Sequence, residues 1–325
     1  MKRREFIKLT GGLAASWPLA ARAQKATARI ALLGSGSAVS SDLFVNAFKE
    51  GLREHGLMEG RDYVLDARWV EGAYERFPQL AGELAAQRPS VIMVTTIAAV
   101  RAAQRMAPGI PIVMTSINDP VGAGLVTSLG RPGGNTTGLA NMTEDLTPKV
   151  VDILRVVVPK AARIAVLYNP ANPSNMPMLE RIQRGIEKSG GAVQATPFKG
   201  PADLEGTFAD IAKGSPDALL VINDATIIDM RQRIASLALS HRIPVFSSIP
   251  EMTDAGGIAG YGTPRADLYR RSAYYVKRIF DGAKPADLAV EQPTRIELSI
   301  NMKTAKTLGI SIPDTLLAGA DRVID

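Results

Sequence analysis

At 325 residues, with 46% hydrophobic and 22% charged side chains, the chain is long enough for two ordinary globular domains, and its composition excludes a disordered or low-complexity protein. Its formal charge of +6 is uneven: residues 1–23 hold a net +4, and the +2 left to the remainder shows no basic run or aromatic-interleaved patch, which argues against a nucleic-acid partner. There is no cysteine, so disulfides, thiolate metal sites and cysteine nucleophiles are excluded.

The N-terminus has the three parts of an export signal: a basic segment to Lys8, a short apolar run Leu9–Ala21, and the small-x-small site Ala21-Arg22-Ala23 before Gln24. Arg3-Arg4 followed by Glu5-Phe6-Ile7-Lys8 resembles the twin-arginine signal. The apolar run is too short to span a bilayer, and no later stretch is long enough, so a protein released into the periplasm after Ala23 is expected.

From Ala28 short apolar runs alternate with amphipathic stretches. Strands are predicted at Ile30–Leu33 and Tyr63–Trp69. Helices are predicted at Asp42–His55, with Leu43, Ala47 and Leu52 inward, and at Phe77–Gln87. Two β-branched runs follow, Val91–Val94 and Ile112–Met114, separated by the amphipathic Ile97–Ala107, which is a strand–helix–strand unit. Asn135–Ala140 is a fifth strand, and a helix is expected over Pro148–Val157.

The pattern then starts over. Ala162-Arg-Ile-Ala-Val-Leu167 repeats Ala28-Arg-Ile-Ala-Leu-Leu33, Pro216–Val221 echoes Pro89–Val94, and Pro244–Ile249 echoes Pro111–Ser116. Three matches in one order predict two similar lobes, each a doubly wound α/β sheet. A short strand within Gly256–Gly262, a helix over Arg265–Asp281, a strand at Arg295–Ile300 and a last short helix complete the chain.

Parallel α/β sheets bind ligands at the carboxyl ends of their strands, so the polar residues there are the candidate site. The first lobe offers Ser35 and Ser37, then Thr95 and Thr96 where a helix begins and its free amides would meet an anion, then Ser116, Asn118 and Asp119. The second offers Tyr168, Asn169, Asn172 and Ser174, then Asn223, Asp224 and Thr226, then Ser247, Ser248 and Glu251. Asp224 is the first candidate to pair a ligand ammonium and Asp119 the second, although the one suits a helix cap and the other a turn before Pro120. Tyr168, Tyr261 and Trp69 could stack on an apolar ligand, although Trp69 at a strand end suits a core position better. Gly34-Ser-Gly-Ser37 lacks the third glycine of a dinucleotide loop, and His55 and His241 suit surface or capping positions. No hydrolase, zinc-protease or phosphate-loop motif is present, so binding without catalysis is expected.

The leader ending Trp17–Ala23, Asn118-Asp-Pro-Val-Gly-Ala-Gly-Leu125, Tyr168-Asn-Pro-Ala-Asn-Pro173 and the tail Thr304-Ala-Lys-Thr-Leu-Gly-Ile310 with Ile312-Pro313 resemble the periplasmic substrate-binding proteins of ABC transporters. Within these, the chain resembles the branch that includes tryptophan- and tyrosine-type binding proteins. The resemblance implies a type I periplasmic binding fold whose lobes, joined by a multi-strand hinge, close on a small ligand and deliver it to a membrane permease. It also implies discontinuous lobes, residues 24–142 with 263–288 and residues 143–262 with 289–325. A monomer without cofactor or metal is expected, its ligand an amino acid or related carboxylate, possibly aromatic. An envelope sensor module of the same fold, or an exported enzyme acting on a small acid, are the alternatives.

Overall fold

The computed structural model describes residues 27–198 and 200–325; the segment expected to be an export signal, with its expected cleavage site, lies outside the described residues. The first lobe begins β1 (Ala28–Gly34), α1 (Asp42–Glu54), β2 (Tyr63–Trp69), α2 (Phe77–Ala86), β3 (Val91–Val94) and α3 (Ile97–Met106), and continues with β4 (Ile112–Asn118) and β5 (Thr136–Asn141). Its sheet is parallel throughout, in the order β2-β1-β3-β4-β5. All four residues of β3 are buried, as a continuous apolar run covered on both faces requires.

The second lobe repeats this with α4 (Thr143–Val157), β6 (Arg163–Tyr168), α5 (Asn175–Glu187), β7 (Ala192–Pro197), α6 (Leu204–Lys213) and β8 (Ala218–Val221). Then come α7 (Ala225–Asp229), α8 (Arg231–Ser240), β9 (Val245–Ser247), α9 (Pro250–Asp254) and β10 (Ala259–Gly262). After β10 the chain forms α10 (Arg265–Phe280), β11 (Glu297–Asn301), α11 (Met302–Leu308), α12 (Asp314–Ala318) and β12 (Arg322–Ile324). The second sheet runs β7-β6-β8-β9-β10-β11-β12, so its first five strands copy the first lobe's order; β10–β11 is its antiparallel pairing, and β12 runs parallel to β11. The internal repeat read in the sequence is therefore a repeat of topology: β1, β3 and β4 correspond to β6, β8 and β9.

Each sheet is covered on both faces by apolar clusters. One of them crosses the lobes: Ile228 and Ile249, 1% and 3% exposed, pack with Phe44 and Leu268 beside α1 and α10. Helix α10 packs on α1, and the segment after it returns along β5, where Glu291 bonds the backbones of Gly138 and Ala140. Arg271 fixes that crossing with a two-pronged bond to Glu291 at 2.7 and 2.9 Å.

Three expectations are corrected. Leu43 is 54% exposed, and the inward face of α1 is Phe44, Ala47, Phe48, Gly51 and Leu52. Helix α4 begins at Thr143 and runs through Pro148, and the C-terminal segment adds a strand, β12, beyond its helices.

Candidate functional site

The carboxyl ends of β3, β4 and β5 face those of β6 and β8 across a narrow cleft that holds a cavity of about 40 Å³. That is space for a few water molecules, so a larger solute enters only as the walls part. Thr95, Thr96, Ser116 and Asn118 line it from the first lobe, and Asn172, Ser174, Asn223 and Asp224 from the second. Ile97, Ile117 and Met178 supply its aliphatic wall.

Local backbone chemistry explains these positions. Thr96 caps α3, its hydroxyl accepting the Ala99 amide at 3.2 Å, which turns the helix N-terminus toward the cleft. Between Met114 and Ile117 the β4–β5 register shifts, and Ser116 sits at φ +61°, a left-handed conformation that costs a non-glycine residue free energy and re-aims its side chain. Asn141 holds this bulge by donating to the Ser116 carbonyl at 2.8 Å.

Asp224 is 2% exposed and is held by five donors. Its Oδ1 accepts the amides of Thr226 and Ile227, at 2.9 and 3.1 Å, and Asn169 Nδ2 at 3.1 Å. Oδ2 accepts Asn172 Nδ2 at 2.8 Å and, from the other lobe, the Tyr74 hydroxyl at 2.9 Å. Burial, followed by the charge of Asp224, keeps the Tyr74 hydroxyl well above its ordinary pKa, so it remains a donor. A carboxylate offers about four lone-pair sites, so a ligand ammonium would reach Asp224 only by displacing one of these donors.

Arg265, at the start of α10, lines both this cavity and a smaller one beside it that Ser248 also lines. It is 8% exposed, its guanidinium lies 5.3 Å from the centre of the Phe44 ring, and its Nε has no hydrogen-bond partner. Among the described residues it makes no ion pair. Glu251 accepts the Arg265 backbone amide at 2.5 Å, while burial pushes its carboxyl up and leaves Oε2 without a partner. Asp229 is pushed up to about 6, chiefly by burial and against the opposing charge of Arg265.

A family model described as ABC transporter substrate binding protein matches residues 30–324. The chain belongs to that family. A conserved domain protein from Vibrio cholerae shares 27% identity with it and has a TM-score of 0.84, the match covering 91% of this chain and 99% of that one. An ABC domain from Streptococcus pneumoniae in complex with L-Trp also shares 27% identity, with a TM-score of 0.82 over 92% and 100% of the two chains. A tyrosine-binding protein from Clostridioides difficile is 23% identical over 269 residues, 83% of this chain and 77% of that one.

In this substrate-binding protein the remaining candidate residues stand outside the main cavity. Ser35 is fully buried, its hydroxyl without a partner, and Ser37 is tied to Ser40 at 2.8 Å in the turn before α1. Gly36 between them is needed for close approach: a Cβ there would lie 1.7 Å from Asp229 Oδ2, which packs against it from the opposite lobe. Asp119 is exposed and accepts the Gly122 amide at 2.9 Å, the turn role weighed for it. Asn169 reaches the site through its bond to Asp224, and Ser247 bonds the Val221 carbonyl at 3.2 Å inside the sheet. Tyr168 and Tyr261 pack on the second lobe's core and Trp69 covers Gly34, so no aromatic ring lines the cavity.

Tyr74, Asn141, Thr143 and Arg265 were not singled out from the sequence. Asn141 and Thr143 follow the strand-end rule already applied to β3 and β4. Arg265 carried its own signal, because a cation in the first turn of a helix opposes the helix dipole and needs another reason to be there.

Proposed function

We propose that the protein is an exported receptor that traps a small polar solute between its lobes and hands it, unaltered, to an inner-membrane permease. The observation that carries this reading is the convergence of hydroxyl, amide and charged side chains from the strand ends of both lobes on one cleft, bridged by Tyr74 and Asp224. The leader of residues 1–23 supports a periplasmic working form, and a receptor that docks on a permease has no need of a second copy. The packing of α10 on α1, and of β11 and β12 in the second sheet, supports lobes made of residues 24–142 with 263–288 and residues 143–262 with 289–325.

The solute class is an amino acid or related carboxylate. Two relatives bear tyrosine and tryptophan in their descriptions, and both are zwitterions with a carboxylate for the hydroxyl-rich wall of Thr95, Thr96 and Ser116. An aromatic side chain would rest on Ile97, Ile117 and Met178, since no ring is available to stack on it.

A thermal-shift series on the chain from Gln24, with the twenty amino acids, benzoate, succinate, ribose and myo-inositol, tests the reading. A solute that binds only the folded protein stabilises it by about 2.7 kcal/mol at a hundred times its Kd, a rise of several degrees. A melting temperature that stays fixed with every solute counts against a receptor for this class of molecule.

A further inference from the structure

We propose that Arg265 sets the charge class of the solute: the solute carries a carboxylate, and that carboxylate docks on the Arg265 guanidinium. The inference rests on the receptor reading above and deepens it. A buried guanidinium is costly to desolvate and is tolerated where a partner completes it. Arg265 is 8% exposed, lines the cleft cavity and its neighbour, and leaves Nε without a hydrogen-bond partner.

No acidic group around it forms an ion pair with the guanidinium among the described residues. Asp224 is occupied by five donors, Glu251 binds the Arg265 backbone amide, and Asp229, packed on Gly36, and the buried Tyr269 feel the Arg265 charge without completing its Nε. Burial raises the carboxyl pKa of both Glu251 and Asp229; Asp229, at about 6, stays mostly ionised at neutral pH and offsets part of the Arg265 charge without filling its hydrogen-bonding fork. The Phe44 ring, 5.3 Å away, covers the guanidinium but accepts no hydrogen bond in the guanidinium plane. What is missing is a planar oxyanion that a guanidinium fork can bind with two parallel bonds, and a carboxylate has that shape. The hydroxyls of Thr95 and Ser116, lining the same cavity, add donors to it.

Calorimetric titration of the chain from Gln24 with acids and their matching amides tests this: L-tyrosine and tyrosinamide, L-tryptophan and tryptophanamide, succinate and succinamide, benzoate and benzamide, with myo-inositol, ribose and inorganic phosphate beside them. At least one acid binds about a hundredfold more tightly than its amide, and Arg265→Met removes that binding by a similar factor. The melting temperature of solute-free Arg265→Met falls by no more than a few degrees, because removal of a poorly satisfied buried charge offsets the loss of its contact with Phe44 and of its field at Asp229; an arginine serving structure alone would lower it by about 10 °C with no acid–amide difference in binding. Arg265→Lys keeps the charge without the fork and recovers part of the affinity.

Acid and amide binding alike, or Arg265→Met binding the acid within threefold of the unmodified chain, overturns the inference. Binding confined to the polyols or to phosphate overturns it and leaves the receptor reading standing, whereas binding of none of these solutes counts against both. The acid–amide comparison needs no variant, so the test holds if Arg265→Met fails to fold.

Discussion

Asp224→Ala lowers stability by about 4 kcal/mol or more and the melting temperature by roughly 10 °C, before any solute is added. The substitution removes the cap of α7 and, with it, the acceptor for Asn169, Asn172 and Tyr74. Losing a cap costs about 1 kcal/mol, and each buried donor left unpaired costs about 1–3 kcal/mol. Asp224→Asn falls between, because asparagine caps as well as aspartate and still accepts Asn169, but turns an amide donor toward the two donors that Oδ2 accepts, Asn172 and Tyr74. A thermal melt of the three proteins checks the order, and an Asp224→Ala protein that melts within a degree of the unmodified chain would show that the network carries no load. Reduced solute binding by Asp224→Ala is therefore no evidence of a lost ammonium contact.

Gly138→Ala has an effect of similar size for a different reason. Gly138, in β5, is paired with Met114 of β4 at φ +126°, and a Cβ there would lie 2.2 Å from the Met114 carbonyl oxygen and 2.6 Å from its amide nitrogen. Both atoms are backbone, so the strand itself must move. Backbone strain and overpacking each cost about 1–3 kcal/mol, and the displaced strand carries the Ser116 bulge and the Glu291 crossing. The expected result is a protein with a melting temperature lower by about 10 °C or recovered as aggregate. Gly130→Ala, where a Cβ would meet nothing within 4 Å, is the control and leaves the melt within about a degree of the parent.

The strands of both sheets that end at the cleft were legible because fully buried parallel strands leave continuous apolar runs such as Val91–Val94 and Ala218–Val221. Polar residues just past those runs then pointed to Thr95, Thr96, Asn223 and Asp224, all of which line the cavity. What the pattern does not encode is the contact across the lobes. Tyr74 lies in a 3₁₀ turn with no periodicity to mark it, and its partner Asp224 is 150 residues away. Asp119 and Asp224 look alike in sequence, each an acid following a polar strand end, yet one closes a surface turn on Gly122 and the other gathers five donors. Tyr168 and Tyr261 failed to reach the cavity because both stand at strand positions whose side chains join the second lobe's core.

The central claim is that the lobes close on a solute, and an interlobe distance measures it most directly. The chain has no cysteine, so Val39→Cys and Met176→Cys, exposed positions on the first and second lobes, take a pair of spin labels without competing sites. Pulsed dipolar spectroscopy, with the solute that gives the largest thermal shift added stepwise, should show a longer-distance population giving way to a shorter one. The conversion should saturate with the same Kd as calorimetry. A solute that saturates the protein while the distance distribution stays unchanged would contradict capture by closure.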